Sequence, residues 1–488
     1  MLTYNLNERG TTPLYDYLYQ CIRRDIIGGN LTKGQKLPSK RALARHLNVG
    51  LITVANAYAQ LTTEGYVKAI EKKGYFVEDV SHYVQRKPSA LQNARSAGKK
   101  RADFGETVRR GAFCRVTDFP EKEYFADFRA NRISLQNFPM ATWTRLVRES
   151  LTVQNESLFK TVPFNGLLEL RSAIAGYLYT NRGMVVHPSQ IVIGAGTEYL
   201  YSRLLQLFGR NSAFAMEDPG YKKFAAIAGI FGNDWKYIPI DENGLLVNEL
   251  EKSGAQIVHL SPANHFPTGI VMPITRRLEL FEWANRKPGR YIIEDDYDSE
   301  FRYNGKFILP LYAEDTQNKV IYMNTFSKTL VPSLRISYMV LPEKLMAEYE
   351  KAQSFYSCTV SSFEQHTLAR FISQGYFERH LNRMKKYYRE QRALILQTIK
   401  TSPLEKISRV IERNAGTHFL LDLRTALTEQ QVREAALQEN LRLSFYSDYS
   451  HGTSGGNTCT LVINYAGISR ENVGEVIERL VKIFPESR

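Results

Sequence analysis

Ile321-Tyr-Met-Asn-Thr-Phe-Ser-Lys328-Thr-Leu-Val-Pro332-Ser-Leu-Arg335 is the stretch around which the chain is organised. Its apolar opening reads as a buried strand that runs out at Thr325 and Ser327, with Lys328 immediately behind. Pro332 rules out a long regular helix, and a second apolar run resumes at Ile336. A lysine behind a strand end is partly desolvated, so its amine can lose a proton and attack a carbonyl carbon. The neighbouring hydroxyls and Arg335, seven residues on, supply what a phosphate needs, hydroxyl donors and a forked guanidinium. The combination suits a Schiff base to a phosphorylated aldehyde. An isolated Ser-Lys pair is far more often a solvated lysine in a turn, so the reading rests on the other landmarks.

Upstream, Tyr291-Ile-Ile-Glu-Asp295-Asp-Tyr297-Asp-Ser-Glu-Phe301 reads as a strand running into an acidic turn, with Asp295 placed 33 residues before Lys328. A carboxylate at the C-terminal end of a strand can pair with a protonated ring nitrogen and keep the ring electron-withdrawing. Asp295 is the candidate, with Tyr297 as donor to a ring oxygen. Two carboxylates directly behind Ile292-Ile293 would be poorly placed as a surface turn. Further upstream, Ile191-Val-Ile-Gly194-Ala-Gly196-Thr197-Glu198 reads as strand, glycine turn and helix start, where backbone N–H groups can cradle a phosphate.

Thr325-Phe-Ser-Lys328 with Pro332 and Arg335, preceded by Asp295-x-Tyr297, resembles the cofactor motifs of fold-type I pyridoxal-phosphate (PLP) enzymes, the aminotransferases. The resemblance implies Lys328 as the Schiff-base lysine, Asp295 on the pyridinium nitrogen and Tyr297 on the ring oxygen. It implies a phosphate site from Gly196, Thr197, Thr325, Ser327 and Arg335, with Tyr221 stacked on the ring. Ser261-Pro-Ala-Asn264-His265-Phe266-Pro267-Thr268-Gly269 matches the family's Pro-Thr-Gly loop. Phe266 stands where the enzymes carry an asparagine. Asn264 and His265 are the alternatives for bonding the ring hydroxyl, and either could instead structure the loop. In Thr460-Leu-Val462-Ile-Asn-Tyr465-Ala466, Val462 stands where aminotransferases place the arginine that clamps a substrate carboxylate. Lys222, Lys223 and Arg442 are the cations available to compensate.

At 488 residues the chain has room for two or more domains. Its four cysteines, Cys21, Cys114, Cys358 and Cys459, show neither metal-ligand nor disulfide-framework spacing, which fits a reducing compartment. No apolar run approaches the ~20 residues of a membrane span, and Met1-Leu-Thr-Tyr lacks the basic start and apolar core of a signal peptide. A cytoplasmic bacterial protein without membrane attachment or metal site is expected. The net charge of +14 is unevenly spread: residues 1–80 carry +4, residues 81–120 carry +6 and the remaining 368 residues only +4. Positive charge therefore gathers at the N-terminal end, where a polyanion partner is expected.

The first segment reads as three helices and a ribbon. Leu14, Leu18, Ile22 and Ile26 recur at helical spacing between Pro13 and Gly28-Gly29. Ser39 is the expected N-cap of a second helix through Leu47, and Ile52 to Leu61 forms a third that Gly65 ends. Tyr66 to Ile70 and Tyr75 to Val77 alternate around a basic Lys72-Lys73-Gly74 turn, which predicts a hairpin. This is the layout of a winged helix-turn-helix, with the third helix entering a major groove and the hairpin tip reaching phosphates or a minor groove. Gly34, Leu37-Pro38-Ser39, Arg41, Leu43-Ala44, Leu47, Val49, Thr53-Val54, Ala57-Tyr58, Leu61 and Glu64-Gly65 resemble the signature of GntR-type regulators. The resemblance implies double-stranded operator DNA as partner and Arg41 as a contact. Ser39, Thr53, Asn56, Lys72, Lys73 and Gly74 complete the expected DNA-binding set. Gly50-Leu51 replaces the usual Ser-Arg before the recognition-helix threonine.

Residues 81–125 lack sustained periodicity and read as a basic flexible linker. From residue 126 to 488 helix and strand signals alternate as in an α/β domain, and the resemblance to fold-type I enzymes implies a mixed, mostly parallel sheet with flanking helices and a small C-terminal α/β subdomain. Winged helix, linker and a fold-type I domain together resemble the MocR subgroup of GntR-type regulators. Within it, Glu198 departs from the usual Gln. The resemblance implies a head-to-tail homodimer and a domain that senses a small amine or amino-acid effector, or PLP itself. The alternative is an active aminotransferase carrying a DNA-binding module. Loss of the carboxylate clamp at Val462 favours the regulator.

Overall fold

The structure is a computed structural model that describes residues 2–10, 13–70, 73–78, 123–129, 137–152, 156–303, 308–413, 416–451 and 458–484. It divides into two compact units, Met1–Asp118 and Phe119–Arg488. All but the last three residues of the expected linker lie outside the described residues, as does Lys72.

In the first unit, α1 (Leu14–Ile27) buries Leu18, Ile22 and Ile26 on one stripe, the spacing that made it a helix. The Ser39 hydroxyl accepts from Ala42 N at 3.2 Å and caps α2 (Lys40–Leu47). Asn48, in the left-handed region at φ 53°, closes that helix. Helix α3 (Leu51–Thr63) turns Val54, Ala57, Tyr58 and Leu61 into the shared core. Strand β1 (Val67–Ile70) pairs antiparallel with β2 (Gly74–Val77) in the register Val67 to Val77. The ribbon gains a third edge that the sequence did not announce. Gly34 N and Leu37 N donate to Val77 O and Tyr75 O at 2.9 Å each, and Val77 N donates to Gln35 O at 3.0 Å. Tyr75 packs edge-on against Tyr58, with ring centroids 4.9 Å apart, and the Tyr58 hydroxyl donates to Pro38 O at 3.0 Å. The wing, the helix pair and the Leu37-Pro38-Ser39 turn are thus one packed body.

The second unit is built on an eight-stranded sheet. Its strands are β4 (Ile191–Gly194), β5 (Ala213–Asp218), β6 (Asp234–Asp241), β7 (Gly244–Leu245), β8 (Ile257–Leu260), β9 (Tyr291–Asp295), β10 (Val320–Thr325) and β11 (Ser337–Val340). They lie in the order β4-β11-β10-β9-β8-β5-β6-β7. The pairs from β10 through β6 are parallel, β11 runs antiparallel between β4 and β10, and β7 closes the far edge antiparallel to β6. Strands covered on both faces are mostly apolar, and β10, β4, β8 and β11 are buried at every position, with polar Asn324, Thr325, His259 and Ser337 among them. Alternate residues serve opposite layers. Ile191, Ile193 and Tyr322 pack with Ile174 and Leu178 of α4 (Leu168–Arg182), whereas Val192, Ile321 and Met323 pack with Leu200 and Leu204 of α5 (Thr197–Phe208).

Two small sheets complete the unit. A two-residue strand β3 (Ala126–Asp127) pairs parallel with β14 (Leu441–Arg442). Strands β12 (Ser408–Ile411), β13 (His418–Arg424) and β15 (Thr458–Asn464) form an antiparallel sheet backed by the long helix α6 (Tyr376–Thr401) and by Val473–Ile483. The expected mostly parallel sheet with a small C-terminal α/β subdomain is what the chain forms. Among the described residues no helix is long and apolar enough to cross a membrane, and no His, Cys, Asp and Glu cluster could hold a metal ion.

Candidate functional site

The parallel strands β4, β5, β8, β9 and β10 all end at one edge of the sheet, the usual ligand side of an open α/β fold. A cavity of about 190 Å³ opens there, lined by Thr197, Glu198, Tyr221, Asp295, Tyr297, Thr325, Ser327, Lys328 and Arg335 among others. Nine of the ten residues expected to hold a cofactor are Lys328, Asp295, Tyr297, Gly196, Thr197, Tyr221, Thr325, Ser327 and Arg335. All of them except Gly196 line the cavity, and Gly196 lies at its edge as the N-cap of α5.

Local structure accounts for the meeting of Lys328 and Arg335. Thr325 ends β10 and caps the short helix Phe326–Thr329 by accepting from Ser327 N at 3.2 Å. Pro332–Leu334 forms a single 3-10 turn, and Arg335 takes a left-handed conformation at φ 50°. Phe326 N donates to Ile336 O at 3.0 Å, so the chain from 326 to 336 is a closed loop that returns Arg335 to the cavity. The guanidinium then passes directly over Gly196. A Cβ there would collide with Arg335 Nη2, and φ is 97°, so only glycine serves.

Burial holds the Lys328 amine below its usual range, against the charges of Asp298 and then Asp295, which push it back up. Asp298 was not anticipated from the sequence. Its carboxyl is raised by burial, opposed by the hydrogen bond from Asn264 and by the charge of Lys328. Asn264 Nδ2 lies 2.9 and 3.0 Å from the two Asp298 oxygens, and the residue does not line the cavity. Asn264 thus braces the loop through its Nδ2, while its Oδ1 is buried without a hydrogen-bond partner. His265 is likewise internal, with Nδ1 2.6 Å from Thr268 Oγ1 and Nε2 3.1 Å from Pro219 O. The Tyr297 hydroxyl lines the cavity and donates to Asn264 O at 3.1 Å.

Asp295 Oδ2 stands 3.6 Å from His259 Nε2, while its Oδ1 is buried without a hydrogen-bond partner. The Ser327 hydroxyl is also buried and unpartnered. These two orphaned atoms, with a desolvated amine on the same cavity, fit a planar aldehyde that presents a ring N–H at one end and a phosphate at the other. Behind the acidic turn, Asp296 forms a buried ion pair with Arg182 and accepts from the Tyr322 hydroxyl at 2.7 Å. The acidic run thus alternates, with Asp295 facing the cavity and Asp296 anchored beneath the sheet.

Glu217 and His418 complete the walls, with His265 behind Glu217. Glu217 accepts from Ser261 N at 3.0 Å, and burial raises its carboxyl to about 8. His265, 3.6 Å from it, is lowered to about 3 by burial, so this contact joins two neutral groups at neutral pH. His418, 3.1 Å from Pro267 O, is lowered to about 4 by burial and by the charge of Lys328.

Among the described residues, the cations lining the cavity are Lys223, Lys328 and Arg335. Glu198 engages two of them, by an ion pair to Lys223 and by another to Arg335 at 2.7 Å. Val462 is buried, pairs with Leu420 across β13 and β15, and does not line the cavity. Asn464 two residues on does line it, and donates to Arg129 O at 2.7 Å. Lys222 Nζ lies 3.5 Å from Ser447 O, and Arg442 covers the Tyr124 ring at 5.5 Å; neither lines the cavity.

In the first unit Arg41, Asn56 and Lys73 are exposed, Thr53 is half-buried and Gly74 opens β2 at φ 109°. Ser39 serves as the cap already described. The first turn of α3 is apolar and open, with Leu51 47% and Ile52 75% exposed. The sequence offered Gly50-Leu51 only as a departure and gave no sign that Ile52 would stand clear of the core.

A fold-type I aminotransferase-like domain and a winged helix-turn-helix therefore share one chain. The family described as aminotransferase class I and II matches residues 127–480, and that of bacterial regulatory proteins, gntR family, matches residues 14–77. The HTH-type transcriptional regulator YdeL of Bacillus subtilis is 34% identical over 478 residues, covering 97% of both chains. The probable rhizopine catabolism regulatory protein MocR of Rhizobium meliloti is 28% identical, over 98% of this chain and 95% of that one. The solved kynurenine aminotransferase of Pyrococcus horikoshii shares the fold with a TM-score of 0.65 at 22% identity, over 75% of this chain and 92% of that one. The chain belongs to the GntR family of helix-turn-helix transcriptional regulators, among its MocR-type members with an aminotransferase-like domain.

Proposed function

We propose that the protein is a PLP-dependent DNA-binding regulator whose aminotransferase-like domain senses a small amine, an amino acid or PLP itself. The observation that carries the cofactor is the convergence of Lys328, Asp295 Oδ1 and Ser327 Oγ, one desolvated amine and two orphaned buried acceptors or donors, on one cavity. When bound, the cofactor supplies an electrophilic aldehyde and an electron-withdrawing ring. Lys328 holds it covalently, Asp295 takes the ring N–H, and Thr197, Thr325, Ser327 and Arg335 surround the phosphate, with Tyr221 and Tyr297 along the ring. Residues 1–80 bind operator DNA, residues 81–125 link, residues 126–488 form the sensor, and two chains pair head-to-tail. Arg41, Lys72 and Lys73 meet phosphates, while Thr53, Asn56 and the open Ile52 face base edges, where an apolar side chain suits a thymine methyl. Regulation is preferred over metabolic turnover because, among the described residues, the cavity's cations other than Lys328 are paired with Glu198 and Val462 supplies none. The test is a gel shift on DNA selected by the protein, with and without PLP. A Lys328→Ala protein whose DNA affinity no longer responds to PLP or effector supports the reading, and a response unchanged by that substitution removes it.

A further inference from the structure

Lys223 and Arg335 both point their charges at one carboxylate. Glu198 sits in the first turn of α5, directly after Gly196 and Thr197, and one of its oxygens pairs with Lys223 while the other pairs with Arg335 at 2.7 Å. The arrangement is a phosphate subsite already holding an anion. The backbone N–H groups at a helix N-terminus favour negative charge, and a carboxylate in that turn satisfies the same field that a phosphate would. The unpartnered Ser327 hydroxyl is the independent sign that a further acceptor belongs there.

We propose that Glu198 is an internal competitor for the cofactor's phosphate. Its carboxylate neutralises Lys223 and Arg335 in the cofactor-free protein and thereby sets a weak, exchangeable affinity for phosphorylated pyridoxal compounds. The inference rests on the cofactor reading above and deepens it. A phosphate monoester carries about −1.5 to −2 charges at neutral pH. Two cations would balance it, but with Glu198 present the three side chains leave only one net positive charge. Binding must therefore turn the carboxylate away or tolerate it beside the phosphate. Glu198 is 38% exposed, so it can swing to solvent at a screened, moderate cost and need not unfold the site. The same carboxylate keeps Lys223 and Arg335 electrically satisfied when no phosphate is bound.

The experiment measures dissociation constants of the full-length protein, wild type and Glu198→Gln, for PLP and for phosphate-free pyridoxal by absorbance titration. Glutamine keeps the size and removes the charge. The expected result is PLP binding tightened about tenfold or more, with pyridoxal affinity within about twofold of wild type. Glu198→Gln/Arg335→Gln should lose most of the gain. Thermal melting gives a second readout: the variant should melt lower than wild type without cofactor and gain more from saturating PLP. PLP affinity unchanged or weakened in Glu198→Gln, or pyridoxal tightened equally, overturns the competitor role while leaving cofactor binding intact. Failure of wild type and variant alike to take up PLP overturns the cofactor reading, and the competitor with it.

Discussion

The Asn264 amide nitrogen sits against both oxygens of Asp298, 2.9 and 3.0 Å away, and so fixes a buried carboxylate whose charge acts on Lys328. Burial lowers the Lys328 amine, and Asp298 is the larger of two charges that oppose this. Asp298→Asn removes the opposing charge, so the amine falls further and becomes nucleophilic at lower pH. The midpoint for borohydride trapping of pyridoxal on the protein should move down by about one pH unit or more. An unchanged or higher midpoint would mean that Asp298 does not act on Lys328. Lys328→Ala should abolish the trapped adduct altogether, together with any visible absorbance that the protein gains on addition of PLP, with the circular dichroism spectrum retained.

Glu217 makes a second pH dependence, of opposite origin. Its carboxyl is raised by burial from 4.5 to about 8. The folded protein therefore holds a proton that the unfolded chain has released, and the stability this gives is complete below pH 4.5 and is lost as pH rises to about 8. His265 and His418, lowered to about 3 and about 4, act in the reverse sense below their ordinary value of 6.5. Comparing wild type with Glu217→Gln cancels the histidines. The variant should gain in relative melting temperature steadily from pH 5 to pH 8, since glutamine can still accept from Ser261 N. A constant difference across that range would show Glu217 to be ionised in the fold.

Much of this was legible in the sequence where chemistry and local geometry coincide. Thr325, Lys328, Pro332 and Arg335 sit on one closed loop between β10 and β11, so their spacing along the chain is their spacing in space. Asp295 was legible because β9 ends there and its neighbour in β10 is Met323. The Glu198 contacts were not legible: they join residues 25 and 137 apart, and no local period encodes that meeting. Asp298 looked like one more member of an acidic turn, because the bend that follows β9, which takes Asp296 to Arg182 and Asp298 to Asn264, has no period in the sequence. The strand-like edge at Gly34–Leu37 was hidden by Gly34 and Lys36, which have poor strand propensity, in a segment held there by β2.

For the DNA-binding unit, Arg41→Ala should weaken operator binding, and the paired change Lys72→Ala/Lys73→Ala should reduce the salt slope by up to about two. Ile52→Ala should instead act on sequence preference, lowering discrimination at one A·T position with little change in salt slope. Tyr58→Phe, which loses the bond to Pro38 O, should cost about 1 kcal/mol of unit stability in chemical denaturation. Equal losses on operator and random DNA for Ile52→Ala would remove it from base readout.

The last expectation concerns turnover and rests on Val462. A transaminating site must hold an amino acid's carboxylate so that the bond to its Cα hydrogen stands perpendicular to the cofactor ring. In this chain Val462 is buried in β15, and among the described residues the cavity's cations other than Lys328 are paired with Glu198. Orientation of reacting groups can supply ~7–11 kcal/mol of a barrier, and each 1.4 kcal/mol forfeited slows the reaction about tenfold. Common α-amino acids should therefore give at most a slow spectral change with the PLP-loaded protein and no repeated cycles when a keto acid is added. Glu198→Gln, which releases Lys223 and Arg335 toward the phosphate, should not restore turnover. Stopped-flow and coupled assays decide the matter: steady transamination on the order of one per second or faster would mean that a cation from elsewhere takes the carboxylate and that the domain is a working enzyme.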